Sequence, residues 1–285
     1  MEKNAQITIA IVNYKTLDLT RLCLRSIRRY TDIPYNVIVV DNNSQDASTE
    51  YLRSLDWITL IEHKEEKSNY RNGAYAHGRG IDLALAYCNT PYFMSLHSDA
   101  LVHRNGWLGE LMSYFDTVGS PVCVGGGKIE LASFWRIWIK KATDLRTFWR
   151  KLFGPADIMG KYRYYNRTIC SIYRTEVLKS ENLSFSMGLD TGLSVGAKLY
   201  FELLDRGYST VELPDTIMRR YVWHLAHATQ ILNPDEFKNR THTKKKTHRL
   251  LKKILNCESV RQIAADDSLD QDFDDKIRAC VRKRD

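Results

Sequence analysis

The sequence predicts an α/β domain: a mostly parallel central sheet flanked by helices. Three observations carry this. Short apolar, β-branched runs recur, and each breaks abruptly into polar residues. Between them, apolar residues repeat at helical spacing. The connections are short, so strands and helices alternate and the strands run parallel. Right-handed crossovers then bring the strand ends to one edge, where α/β proteins bind ligands.

Ile7 to Val12 forms the first strand and ends at Asn13-Tyr14. Leu19, Leu22, Cys23, Ser26 and Ile27 fall on one face of a helix. Asn36 to Val40 is a second strand, ending in Asp41-Asn42-Asn43-Ser44. A short helix over about 47–55 and a strand over Ile58 to Ile61 follow. Ile81, Ala84, Leu85 and Cys88 repeat at helical intervals, and Tyr92 to Leu96 is the fourth strand. That strand breaks into His97-Ser98-Asp99, a cluster of metal-ligand types at the edge. Further on, Val195, Leu199 and Leu203 mark a helix that closes at Gly207, before a strand over Thr210 to Leu213. Asn13, Asp41 and His97-Ser98-Asp99 are therefore expected in one crevice.

The chain has 285 residues, 44% of them hydrophobic, enough for one large domain or a domain with extensions. Its formal charge of +8 suits a diphosphate ligand, an anionic membrane surface or a nucleic acid, and no nucleic-acid signature motif is present. Six cysteines without CxxC pairing read as reduced thiols of a cytosolic protein. No signal peptide and no membrane-spanning apolar stretch are expected. Composition changes near Asn233-Pro234, with a basic stretch and then an Asp-rich one beyond it. Residues 232–285 are thus expected as a helical C-terminal extension, partly mobile.

The segments ITIAIVNYKT, NVIVVDNNSQD, RNGAYAHGRGIDLALAYCNTPYFMSLHSDA and GLDTGLSVGAKLYFELLDRGYSTVELP resemble the family 2 glycosyltransferases of the GT-A fold. The likeness runs over roughly residues 5–230, in order and spacing. It implies a Rossmann-like GT-A domain over 1–231, with a nucleotide-binding half at 1–100 and an acceptor-binding half at 101–231. It also implies an inverting transfer of sugar from a nucleotide-sugar, UDP- or dTDP-linked, to an acceptor hydroxyl. Mn²⁺ or Mg²⁺ is the implied cofactor. The implied partners are the donor and a glycan or lipid-linked glycan acceptor, with no nucleic acid. The expected place is the cytoplasm, with peripheral contact at the inner membrane face. The alternatives are a nucleotidyltransferase, or a degenerate module that binds a nucleotide-sugar or a membrane surface without catalysis.

The resemblance assigns roles to residues, and each has a plainer reading beside it. Asp41 would read the nucleotide base, with Asn13, Tyr14 and Asn43 lining the base or ribose; the plain reading is a strand-end Asx-turn. Asp99 and His97, with Ser98 between, would hold cation and diphosphate. In the family the first position of this motif is an aspartate, and imidazole there favours Mn²⁺-like metals over Mg²⁺. His224 or His227, three apart and compatible with one helical face, would add a metal ligand; the plain reading is packing beside Trp223. Arg71, His77 and Arg79 lie in a glycine-rich loop before the third helix; Arg79 would pair with a phosphate and His77 would join the nucleotide-sugar site, or else the segment is a solvated loop. Asp190 would be the general base, or else a helix N-cap. Gly125-Gly126-Gly127 reads as a turn or a backbone wall beside the sugar. Tryptophans and basic residues at helical spacing over 133–153 read as a core-packed helix, or as an interfacial or lid element.

Overall fold

The computed structural model describes residues 4–64, 73–117, 119–127, 129, 165–225, 228–233, 248–249 and 251–271. The aromatic and basic insert 133–153, Arg71, His227 and most of the basic stretch after Asn233 lie outside the described residues. The strands are β1 (Ile7–Asn13), β2 (Tyr35–Asp41), β3 (Thr59–Glu62), β4 (Tyr92–Leu96), β5 (Ala100–Val102), β6 (Cys123–Gly126), β7 (Cys170–Arg174), β8 (Thr210–Leu213) and β9 (Val222–His224). The helices are α1 (Leu17–Tyr30), α2 (Ala47–Arg53), α3 (Gly73–Tyr87), α4 (Trp107–Ser113), α5 (Thr175–Ser180), α6 (Ala197–Asp205), α7 (Asp215–Met218), α8 (Ala228–Leu232) and α9 (Glu258–Ala265).

Seven strands form the central sheet in the order β3-β2-β1-β4-β7-β6-β8. β1 to β4 are mutually parallel, β6 and β8 are parallel, and only β7 runs against its neighbours. This is the expected mostly parallel sheet. Alternation along the strands feeds two cores. Ile7, Ile9, Ile11, Val37 and Val39 face the α1 side, while Ala10, Val12, Ile38 and Val40 face the α3 side with Ile81 and Ala84. Fully burying each large aliphatic side chain is worth about 1.5–3 kcal/mol, so both faces hold the sheet flat against its helices.

Two segments depart from the sequence reading. Residues 73–80 are helical, so His77 and Arg79 sit in the first turns of α3 and not in a loop. Glycine lowers helix propensity, but here close packing overrides it. A Cβ on Gly80 would lie 3.0 Å from Val12, and one on Gly78 would lie 3.2 Å from Leu189. Gly125 and Gly126 belong to strand β6, not to a turn. Ser171 and Met218 occupy the space where their side chains would stand.

The C-terminal segment is docked where it is described. Leu251, Ile254, Val260, Ile263 and Leu269 make a third core with Leu19 and Leu22 of α1, Leu101 of β5, and Leu225. Arg25, 2% exposed, reaches out of α1 to Asp267 (2.5 Å) and Asp270 (2.6 Å), and Tyr51 Oη donates to Asp270 (2.8 Å). A buried guanidinium needs such charge-matched partners.

Candidate active site

Because β1 to β4 run parallel, Asn13, Asp41 and the residues after Leu96 all arrive at one edge of the sheet. The edge divides into two unlike parts. On the β1–β2 side, the Asn13 side chain, fully buried, donates to Asp41 Oδ1 (2.7 Å) and Ser48 Oγ (2.9 Å), and accepts from Thr20 Oγ1 (2.7 Å). Asp41 also accepts from Ser44 Oγ (2.5 Å), the Ser44 amide (3.2 Å) and Thr49 Oγ1 (2.9 Å). All four acceptor positions of that carboxylate are therefore filled from within the protein. Asn43 follows at φ 54°, a left-handed conformation that Asn tolerates. Asp41, Asn43, Thr49, Arg53, Glu62 and His63 line a cleft of about 270 Å³ beside this knot. Tyr14 is half-buried, with Lys15 Nζ over its ring at 5.5 Å.

The β4 side is different. Asp99, 8% exposed, has its Oδ1 3.6 Å from His97 Nδ1 and 3.3 Å from His224 Nε2. The three ligand atoms lie within 4.8 Å of one another. Backbone pairing brings His224 here: β5 and β9 are antiparallel with Ala100 opposite His224, and the Leu225 amide donates to the Asp99 carbonyl at 2.9 Å. So His224 ends a strand and does not lie on a helical face. Burial pushes the Asp99 carboxyl upward, but the imidazoles of His224 and then His97 outweigh it and hold Asp99 well below the usual carboxylate range. Ser98 is buried beside it.

His77 joins this group from α3, with its ring edge-on to His97 at 4.7 Å. Its Nε2 is out of contact with solvent and has no hydrogen-bond partner among the described residues. Burial, then the neighbouring His97, push its pKa down to about 3, so the ring is neutral at physiological pH. His97 Nε2 lies 3.3 Å from Thr168 Oγ1, a residue that carries no motif and reaches the site only because β7 begins there, with Cys170 opposite Leu96. Arg79, two residues along α3, is exposed.

Asp190 sits in a 3-10 turn, Leu189–Thr191, between Gly188 (φ 74°) and Gly192 (φ 81°). It is exposed, and it does not cap the following helix: α6 begins at Ala197 behind Gly196. The contact of Leu189 with Gly78 sets this turn beside α3, one residue from His77.

A carboxylate and two imidazoles at these separations fit one divalent cation, since each can offer a single lone pair to a common point. Hard Mg²⁺ prefers oxygen alone, whereas this mixed set suits Mn²⁺-like ions.

The comparisons agree with this architecture. A curated relative, the teichoic acid poly(glycerol phosphate) polymerase of Staphylococcus epidermidis, is 23% identical over 194 residues, 65% of this chain and 24% of that one. The chain thus spans about a quarter of the length of the curated relative it matches. Among solved structures, the mannosyltransferase PcManGT from Pyrobaculum calidifontis, in complex with GDP-Man and Mn²⁺, is 16% identical. That alignment covers 91% of this chain and 73% of that one, with a TM-score of 0.53. S. aureus TarS 1–349 gives 16% identity and a TM-score of 0.49 over 91% and 69% of the two chains. The sheet order and the likeness to the mannosyltransferase identify a GT-A fold. The model of glycosyl transferase family 2 matches residues 8–180, well over half of the sequence, and the chain belongs to that family of glycosyltransferases.

Proposed function

We propose that this glycosyltransferase moves a sugar from a nucleotide-sugar, UDP- or dTDP-linked, to an acceptor hydroxyl with inversion at the anomeric carbon. The observation that carries the reading is the convergence of His97, Asp99 and His224 at the carboxyl edge of the sheet. His97, Asp99 and His224 would hold a Mn²⁺-like cation, with His227 as the neighbouring candidate. Such a cation neutralises the negative charge that develops on a departing diphosphate. His77 and Ser98 lie beside His97 and Asp99, and we assign them, together with Arg79 two residues further along α3, to the diphosphate; His77 Nε2 would have a partner there.

Asp190 takes the acceptor proton while the hydroxyl oxygen bonds to the anomeric carbon. The bond from that carbon to the diphosphate breaks on the opposite face, which gives inversion. Its exposure and its freedom from a capping role support this assignment. Asn13, Tyr14, Asp41 and Asn43 form the base and ribose site. Asp41 can reach the base only if Ser44 or Thr49 yields an acceptor position, so its first contribution is to shape the cleft. The GDP-Man and Mn²⁺ of the archaeal structure support a nucleotide-sugar donor and a transition-metal cofactor. The name of the curated relative, a teichoic acid poly(glycerol phosphate) polymerase, supports an acceptor within polymer synthesis; we take that acceptor to be a lipid-linked glycan met at the inner membrane face. No helix among the described residues is long and apolar enough to cross a membrane, which suits peripheral contact.

The test is a calorimetric panel of UDP-, dTDP-, GDP- and CDP-sugars with and without Mn²⁺, followed by product anomer analysis by NMR. Mn²⁺-dependent binding of a uridine or thymidine donor is expected, with an inverted product. Cation-independent binding, or retention, would overturn the reading. The non-catalytic alternative rested on His97 replacing an aspartate, yet the three ligands still assemble.

A further inference from the structure

One carboxylate on α3 has no part in the scheme above, yet it accepts four hydrogen bonds from outside that helix. Asp82 accepts from Ser184 Oγ (2.6 Å), from the Phe185 amide (2.6 Å), from the Ser186 amide (3.3 Å) and from Ser186 Oγ. All these donors lie more than a hundred residues further along the chain. They belong to the loop that leads into the Asp190 turn.

The loop is closed on itself as well as on the helix. Phe185 is fully buried against Phe93 and Tyr173. Its carbonyl accepts from the Gly196 amide at 2.9 Å, and the Leu193 amide donates to Gly188 at 3.2 Å. Residues 185–196 thus form a ring pinned at both ends. Gly78, one helical turn before Asp82, allows the approach: a Cβ there would stand 3.2 Å from both Leu189 Cδ1 and Ser186 Cα. The residue before Gly78 is His77, edge-on to His97. One helix therefore touches the cation ligands at His77 and the Asp190 loop at Gly78 and Asp82.

We propose that Asp82 is a positioning residue: by latching Ser184–Ser186 to α3 it fixes where the Asp190 turn stands relative to the His97–Asp99–His224 cluster. This rests on the reading of Asp190 as the base. An error of about 1 Å in such a placement costs on the order of 10²-fold in rate. Four converging hydrogen bonds on one carboxylate are a means of preventing that error, and a loop that had only to pack needs no such anchor.

The test compares wild type with Asp82→Ala, with the Ser184→Ala/Ser186→Ala double variant, and with Asp190→Asn, all in the full chain. Amide hydrogen exchange is read over 186–196, and turnover of UDP-glucose and UDP-GlcNAc with Mn²⁺ is followed with water as the acceptor. The expected result is exchange over 186–196 raised about 10-fold or more while β1, β2 and β4 stay protected. Turnover should fall about 10–100-fold at unchanged donor KM. The serine variant keeps the carboxylate and should give a smaller change in the same direction; it serves if Asp82→Ala does not fold. Unchanged loop exchange overturns the proposal, as does raised exchange with unchanged turnover. So does a loss in which the whole sheet, donor KM and turnover move together. If Asp190→Asn turns over donor as wild type does, the reading of Asp190 itself falls. If Asp190→Asn is inactive and Asp82→Ala is normal, only the role of Asp82 falls.

Discussion

The carboxylates at the end of β2 and just after β4 stand two strands apart on one sheet edge, and their circumstances are opposite. Asp41 is saturated: an amide, two hydroxyls and a backbone N–H fill its oxygens. Asp99 is nearly as buried, yet it faces two imidazoles at 3.3 and 3.6 Å, distances longer than ordinary charge-assisted hydrogen bonds. A polar group satisfied by its own fold is architecture. A carboxylate gathered with two imidazoles, each with a lone pair to offer, is arranged for something else. The difference predicts which residues cost stability when removed and which cost activity.

The largest effect should come from Asp99→Ala. Mn²⁺ binding, followed by electron paramagnetic resonance, should be lost, and turnover should fall by about 10³-fold or more. The melting temperature should fall, since His224 and His97 stabilise this carboxylate in the folded chain. Asp190→Asn comes next, with turnover down on the order of 10²-fold and Mn²⁺ affinity and stability both kept. A matching loss of Mn²⁺ affinity would place Asp190 among the ligands instead.

Asp41→Ala should invert the pattern. It strands Asn13, Ser44 and Thr49, so urea unfolding should show a loss of about 2–4 kcal/mol, with Mn²⁺ binding intact. Preserved stability would sink the contrast drawn above. The smallest effect is expected for Thr168→Val, which removes the contact to His97 Nε2. Mn²⁺ affinity should weaken about 10-fold, at the low end for outer-shell partners, with stability unchanged.

Much of the fold was legible, because β-branched runs ending in polar residues need no distant information. Observed strands β1 to β4 lie within a residue of their expected limits at most ends. Glycine was the main source of error. The glycines of 73–80 suggested a loop, and those of 125–127 a turn or a backbone wall, whereas Gly78, Gly80, Gly125 and Gly126 admit close neighbours within regular structure. His224 was visible as a candidate, but a three-residue strand leaves no periodic trace. Thr168 and Asp82 were invisible for another reason. Their partners lie 71 to 104 residues away, and no local pattern encodes such a pairing.

The docked C-terminal segment ties remote parts of the chain to the histidine cluster. Leu225, directly after His224, packs with Leu251, Ile254, Val260 and Ile263, and Arg25 holds the end of that segment through Asp267 and Asp270. Through this shared packing, an occupant that is held better when α9 is docked would, by thermodynamic reciprocity, shift the docking equilibrium of α9 by the same factor. Proteolytic nicking near residue 271 would then report on occupancy some distance away, without any label at the site.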